Sequence, residues 1–309
     1  MPKVRKRQLP LKGVGVFFSF EFISLVMRIF SFIGGLIKAV FMLVFIVFLL
    51  GLIGLMFGER VENGNIAVVE MVGPIEDSTE TIKDLKKFRE SDHVKAIVLR
   101  VDSPGGAVGS SQEVYDEVIK TKAVKPVIVS FGNMAASGGY YVAASATKIV
   151  SNPGTLTGSI GVITQFFQVD EVLKKFNLKW EVIKSGTNKD IGSPLRSMTA
   201  EEKKLIQSMV TDVFDQFVTA VAEGRKLEKS KVMEFADGRI FSGRHAKELG
   251  LVDELGGIEK AIEVAATEAK ITDEPKVIYP SKDKYKFLEQ FAEGKLSMPS
   301  LFKMEYRLP

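Results

Sequence analysis

Two glycine-rich loops hold the residue types from which an acyl-transfer site can be built. Asp102-Ser103-Pro104-Gly105-Gly106 and Gly132-Asn133-Met134-Ala135-Ala136-Ser137-Gly138-Gly139-Tyr140-Tyr141 each follow an apolar run and lead into a helical pattern. A glycine pair admits the close approach of a reacting carbonyl, and N–H groups at a helix start can stabilise the negative oxygen formed on attack. Ser137 stands where a strand-to-helix turn would lift its hydroxyl out of a sheet. On local grounds the reading stays open, because a serine among Ala and Gly more often packs a tight helix contact. The supply of partner groups is short. With no cysteine in the chain, thiol nucleophiles, thiolate metal sites and disulfides are excluded, and His93 and His245 are the only imidazoles. Both lie in polar surroundings outside any HExxH pattern, so a Ser-His-Asp triad or a histidine zinc site is poorly supplied, and neither metal nor cofactor is expected.

The elements that must position these loops alternate. Strand periodicity covers Asn65 to Val72, Val94 to Val101, Pro126 to Phe131, Lys148 to Ser151 and Lys179 to Lys184. Helical spacing covers Ser78 to Arg89, the stretch through Val114, Val118 and Ile119, and a long helix to about Glu223 opened by a Thr199/Glu202 capping box. Strand followed by helix implies parallel pairing, an α/β domain whose sites gather at the carboxyl ends of the strands.

The formal charge of +4 over 309 residues conceals a division. Lys3, Arg5, Lys6, Arg7, Lys12, Arg28 and Lys38 face only Glu21, so the head carries +6 and the remainder −2. A mildly acidic body excludes a nucleic-acid binder that relies on a broad basic face. Ala39 to Gly58 is uncharged and, at ~1.5 Å per residue, spans the ~30 Å of a hydrocarbon core. By the basic flank the N-terminus is expected in the cytoplasm and the body outside, with Gly13 to Ile37 as an interfacial helix, since Glu21 and Arg28 are costly in lipid; were that apolar stretch to span as well, the body would return to the cytoplasm. The expected divisions are a basic head over 1–38, a transmembrane anchor over 39–58, an α/β domain over 61–270 and a C-terminal extension over 271–309.

The DSPGG and ASGGYY loops come with further motifs in fixed order. These are Thr157-Gly158-Ser159-Ile160-Gly161-Val162, Lys184-Ser185-Gly186, Lys189-Asp190-Ile191-Gly192-Ser193-Pro194, Gly238-Arg239-Ile240-Phe241-Ser242-Gly243 and Leu249-Gly250-Leu251-Val252-Asp253. Together, over roughly Asn65 to Ala265, they resemble the signal peptide peptidase A family of membrane-anchored serine peptidases. The resemblance implies a Clp protease/crotonase-like fold behind a single N-terminal transmembrane helix. It implies Ser137 as nucleophile and Lys189 as general base, with Ser159 at the position of a hydroxyl that orients the lysine. A lysine suits a chain so poor in other bases if its environment lowers its pKa from ~10.4 toward ~7 to 8; arginine would stay charged. Gly106 and Gly138 are the expected oxyanion donors. Asp102, Pro104 and Asn133 are read as loop-shaping and Lys184 as a surface or structural residue. Asp190, adjacent to the base, would hold the amine protonated, so its carboxylate must be turned elsewhere.

The expected activity is acyl-enzyme degradation of remnant signal peptides and other apolar peptides at the membrane lipid. Alternatives are a related membrane peptidase acting on stomatin-like proteins, a catalytically silent peptide-binding module, and a coenzyme A-dependent crotonase, which the anchor disfavours. Related chains of double length join a serine from one domain to a lysine from the other. A single-copy chain that keeps this geometry would pair Ser137 with Lys189 of a neighbour in a ring-shaped homo-oligomer.

Overall fold

The structure, a computed structural model, describes residues 20–56, 64–280 and 304–307. The chain divides into two units, Met1–Val61 and Glu62–Pro309. The first contains α1, Phe20–Met56, a single unbroken helix. Its residues from Val40 to Leu50 are all exposed, and its stretch Met27–Gly51 is long and apolar enough to cross a membrane. The expected boundary at Ala39 between an interfacial helix and the anchor is therefore not a structural one. No proline lies between Phe20 and Met56, and Gly34-Gly35 alone does not break the ladder. Gly13 to Ser19 and the last two residues of the expected span, Phe57 and Gly58, lie outside the described residues.

In the second unit the chain runs β1 (Ile66–Val72), α2 (Thr79–Glu90), β2 (Ala96–Ser103), β3 (Gly105–Ala107), α3 (Val108–Lys122), β4 (Val127–Ala136), α4 (Gly138–Ala144), β5 (Lys148–Ser151), β6 (Leu156–Gly158) and β7 (Ile163–Thr164). There follow α5 (Asp170–Lys175), α6 (Ala200–Arg225), α7 (Lys229–Met233), β8 (Ile240–Ser242), α8 (Gly243–Glu248), β9 (Glu254–Leu255), α9 (Ile258–Glu268), β10 (Val277–Ile278) and β11 (Met304–Arg307). The main sheet has the order β10-β1-β2-β4-β5-β9 and is parallel along that path, while β6 extends from the end of β4 and pairs antiparallel with β8. Alternation in β1 shows why both faces are covered. Ile66 and Val68 pack with Ala261, Ile262 and Ala265 of α9, whereas Ala67 and Val69 face the larger core that includes Leu85, Val114, Val118, Tyr140 and Phe217. A small second sheet, β3-β11-β7, is antiparallel.

β4 outruns the expected strand, which ended at Phe131. Its register with β2 slips after the Val101–Phe131 pair and resumes at Ser103–Ala135. Asp102 fills the slip, accepting from Met134 N at 3.1 Å and Asn133 Nδ2 at 2.8 Å. The strand thus reaches Ala136, where β6 continues the pairing. Lys179 to Lys184 departs the other way: it forms no strand, and Trp180 and Ile183 are exposed. Its apolar content suits a strand, but a strand also needs a pairing edge, and this segment meets none among the described residues.

Candidate active site

β4 ends at Ala136 and α4 begins at Gly138, so Ser137 makes the whole turn alone. Its backbone has φ 54° and ψ −120°, a conformation that costs a non-glycine residue ~1–3 kcal/mol. Neighbours hold it there. Its N–H donates to Gly158 O at 2.8 Å, and its carbonyl accepts from Tyr141 N at 2.8 Å as the first bond of α4. Tyr140 anchors that helix, with its ring edge-on to Phe131 at 6.3 Å and its hydroxyl donating to Leu251 O at 2.9 Å. Ser137 is 1% exposed, and its Oγ has no hydrogen-bond partner among the described residues. Backbone strain and an orphaned buried hydroxyl on one residue are two costs that packing alone does not explain, and both kinds cluster at functional sites.

The other glycine loop lies against this turn. A Cβ on Gly139 would stand 3.1 Å from Ser103 O, so any larger residue would push the loops apart. Gly106 is pressed onto the backbone of Ile75, where a Cβ would overlap the carbonyl. Ile75 N donates to Gly105 O at 2.9 Å, and Ala107 N donates to Ile75 O at 2.8 Å. Successive backbone groups of a strand face opposite edges, so the Gly106 N–H points away from Ile75 toward the edge on which β11 pairs, with Tyr306 opposite Gly106. Gly138 is the first residue of α4, and its N–H has no acceptor within that helix. Of the two expected oxyanion donors, Gly138 thus follows Ser137 directly, and Gly106 lies on the loop whose Ser103 packs against Gly139.

Ser159 follows Gly158, the partner of Ala136 in the β4–β6 ladder, so Ser137 and Ser159 come next to each other as the paired strands end. Ser159 also has a positive φ, 50°, is nearly buried, and donates from its N–H to Arg239 O at 2.8 Å. That bond fixes the Gly238-Arg239 motif beside the turn.

Lys189 sits in a turn over 187–192, its N–H donating to Gly186 O at 3.1 Å and its side chain exposed. Among the described residues its amine makes no hydrogen bond or ion pair, and Ser137 Oγ has no partner. Within one chain the structure therefore brings Ser137, Ser159, Gly106 and Gly138 together and leaves Lys189 outside hydrogen-bond reach of the serine. The turn itself is well anchored. Phe166 packs on Gly192, and Val169 N donates to Pro194 O at 2.7 Å. The Asp190 carboxylate is taken by Arg196 and Lys184, which hold it far below the usual carboxylate range. Lys184 is thus structural, as read from the sequence, whereas Arg196 was not singled out there. The sequence signal was indirect: a carboxylate next to a base needs a cation elsewhere. His93 and His245 are exposed, the latter with its ring nearly perpendicular to that of Phe241 at 5.1 Å.

Comparison with known proteins adds independent information. The model of peptidase family S49 matches residues 119–272, and that of Clp protease matches residues 61–155. A putative protease of Synechocystis sp. is 46% identical over 206 residues, 66% of this chain and 74% of the relative. A putative signal peptide peptidase SppA of Enterococcus faecium is 38% identical over 235 residues, 72% of this chain and 68% of the relative. Protease 4 of Salmonella typhi is 36% identical over 234 residues, which cover 70% of this chain but 38% of that longer protein. Ser137, Ser159 and Lys189 all fall within the family S49 match.

Proposed function

Because the chain belongs to peptidase family S49, we propose that it is a membrane-anchored serine endopeptidase in which Ser137 is the nucleophile and Lys189 the general base. The observation that carries the reading is the strained, buried and unpartnered Ser137, set between two glycine loops at the end of a parallel strand.

In the proposed reaction Ser137 Oγ attacks the scissile carbonyl carbon while the neutral amine of Lys189 takes the hydroxyl proton. N–H groups of Gly106 and Gly138 receive the developing oxyanion. The tetrahedral intermediate expels the amine of the leaving peptide, which takes up the proton from Lys189, leaving an acyl-enzyme. Water then attacks the ester, again giving its proton to Lys189, and Ser137 is regenerated. Ser159 orients the lysine. The substrate is an extended apolar peptide, such as a remnant signal peptide, added antiparallel along β3; that this edge already accepts β11 in the same sense supports the mode. The lysine comes from a neighbouring copy in a ring-shaped homo-oligomer. The exposure of Lys189 and the lack of a partner for Ser137 Oγ in its own chain support this. The N-terminus is cytoplasmic and the second unit extracytoplasmic, on the strength of the basic head.

The test is covalent labelling of the full-length protein in detergent with a serine-reactive phosphonate. A single adduct on Ser137, absent from Ser137→Ala, together with loss of peptide hydrolysis in that variant, is expected. Unlabelled protein with no hydrolysis would instead favour a silent peptide-binding module.

A further inference from the structure

A carboxylate next to an amine stabilises its protonated form, so Asp190 is badly placed for a base at Lys189 unless something holds it. Arg196 does so from two directions. Its Nε donates to Asp190 Oδ2 at 2.8 Å and its Nη2 to Oδ1 at 2.8 Å, the paired geometry that arginine makes best, and Lys184 Nζ adds a contact to Oδ1 at 2.5 Å. The same guanidinium reaches across to Glu202, donating from Nη1 to Oε2 at 2.8 Å and from Nη2 to Oε1 at 2.5 Å. Glu202 is 3% exposed and already committed to the helix start. Its carboxylate accepts from Thr199 N at 2.9 Å, while its own N–H donates to Thr199 Oγ1 at 3.1 Å. Further along, α6 places Phe217, Val218 and Val221 in the core that also holds α4. Lys184 and Lys189 lie on the loop itself, and Asp170 on α5 meets Ser197 of the same segment. Asp170 accepts from Ser197 Oγ at 3.3 Å and pairs with Lys174.

We propose that Arg196 is a positioning residue for the Lys189 turn: it draws the Asp190 carboxylate away from the amine and ties the turn to the capped start of α6. The proposal rests on Lys189 being the base. It accounts for a guanidinium shared by two carboxylates that nothing in the fold of the sheet requires. Lysine at position 196 would offer one point charge and could not span both acids with paired bonds.

The experiment is the pH dependence of kcat/KM for hydrolysis of an apolar peptide by the full-length protein. In Arg196→Gln the Asp190 carboxylate keeps only Lys184 and is free to turn toward Lys189, and the acid limb of the profile moves to higher pH by ~1 unit. In the double variant Asp190→Asn, Arg196→Gln it returns to the wild-type position. A uniform loss of kcat with the limb unmoved would mean a merely structural role and overturn the proposal. Should Arg196→Gln fail to fold, Arg196→Lys decides: it keeps the charge but not the paired bonds, so the limb moves to higher pH if those bonds hold Asp190 off the amine, and an unmoved limb overturns the proposal. Lys189→Ala separates the two levels. If it is inactive and the limb of Arg196→Gln does not move, only the Arg196 role falls; if it is active, the base assignment and this proposal fall together.

Discussion

At Ser137 two unfavourable features coincide, and each can be removed separately. Alanine deletes the orphaned hydroxyl, whose burial costs ~1–3 kcal/mol, without opening a large cavity. Glycine also relieves the positive φ, worth up to ~1–3 kcal/mol, less the ~0.4–1 kcal/mol that its freer unfolded chain gives back. Ser137→Ala is therefore expected to be at least as stable as wild type and Ser137→Gly at least as stable as Ser137→Ala in denaturant titration, both without hydrolysis. A loss of stability in either would mean that the hydroxyl serves packing. Lys189→Ala and Lys189→Arg are both expected to be inactive, with wild-type activity rising along the acid limb of the profile as the amine loses its proton. Substantial activity in the arginine variant would make the residue a charge partner. Neither the positive φ of Ser137 nor that of Ser159 was legible in the sequence, because nothing in residue type marks a serine for that conformation. The glycines around them were legible as close-approach positions.

The elements follow hydrophobic period where the period meets a partner. β1, β2 and β5 and the helices α2, α3 and α6 lie close to where periodicity placed them, and the Thr199/Glu202 capping box is present in full. β4 ran longer because the Asp102 carboxylate bridges a register slip, a tertiary event invisible to local pattern. Lys179 to Lys184 stayed unpaired for the converse reason: periodicity reports a side chain's preference and says nothing of an available edge. The start of α6 yields a prediction of its own. The Arg196 guanidinium, with help from Thr199 N, pulls Glu202 down to about 2, against ~4.3 for an ordinary glutamate. A depressed carboxyl pKa contributes stability in full above its unfolded value and loses it as pH falls through the folded one. Melting temperature should thus show no loss from this group between pH 8 and 5 and a steepening loss from about pH 4 toward pH 2, with a shallower loss in Glu202→Gln. Thr199→Ala should cost ~1 kcal/mol across the range, as for other N-cap threonines.

For the whole molecule, an active site split between subunits predicts complementation. Ser137→Ala chains keep Lys189 and Lys189→Ala chains keep Ser137, so unfolding them together and refolding should rebuild working sites. No recovery from demonstrably mixed oligomers would place both residues in one subunit. The apolar helix makes a second prediction: protease added to cells stripped of wall should shorten the protein to its anchor, and full protection until lysis would reverse the orientation. The pairing of β11 with β3 has one more consequence. A segment joined covalently to the edge it covers acts as a tethered competitor, present at a local concentration that does not depend on the amount of enzyme. Dilution cannot remove it, and a peptide that adds along β3 as proposed would have to win the edge from it. Ending the chain before Met304 should therefore lower KM for extended peptides and leave kcat unchanged, whereas an unchanged KM would mean that incoming chain and tether never meet on the same edge.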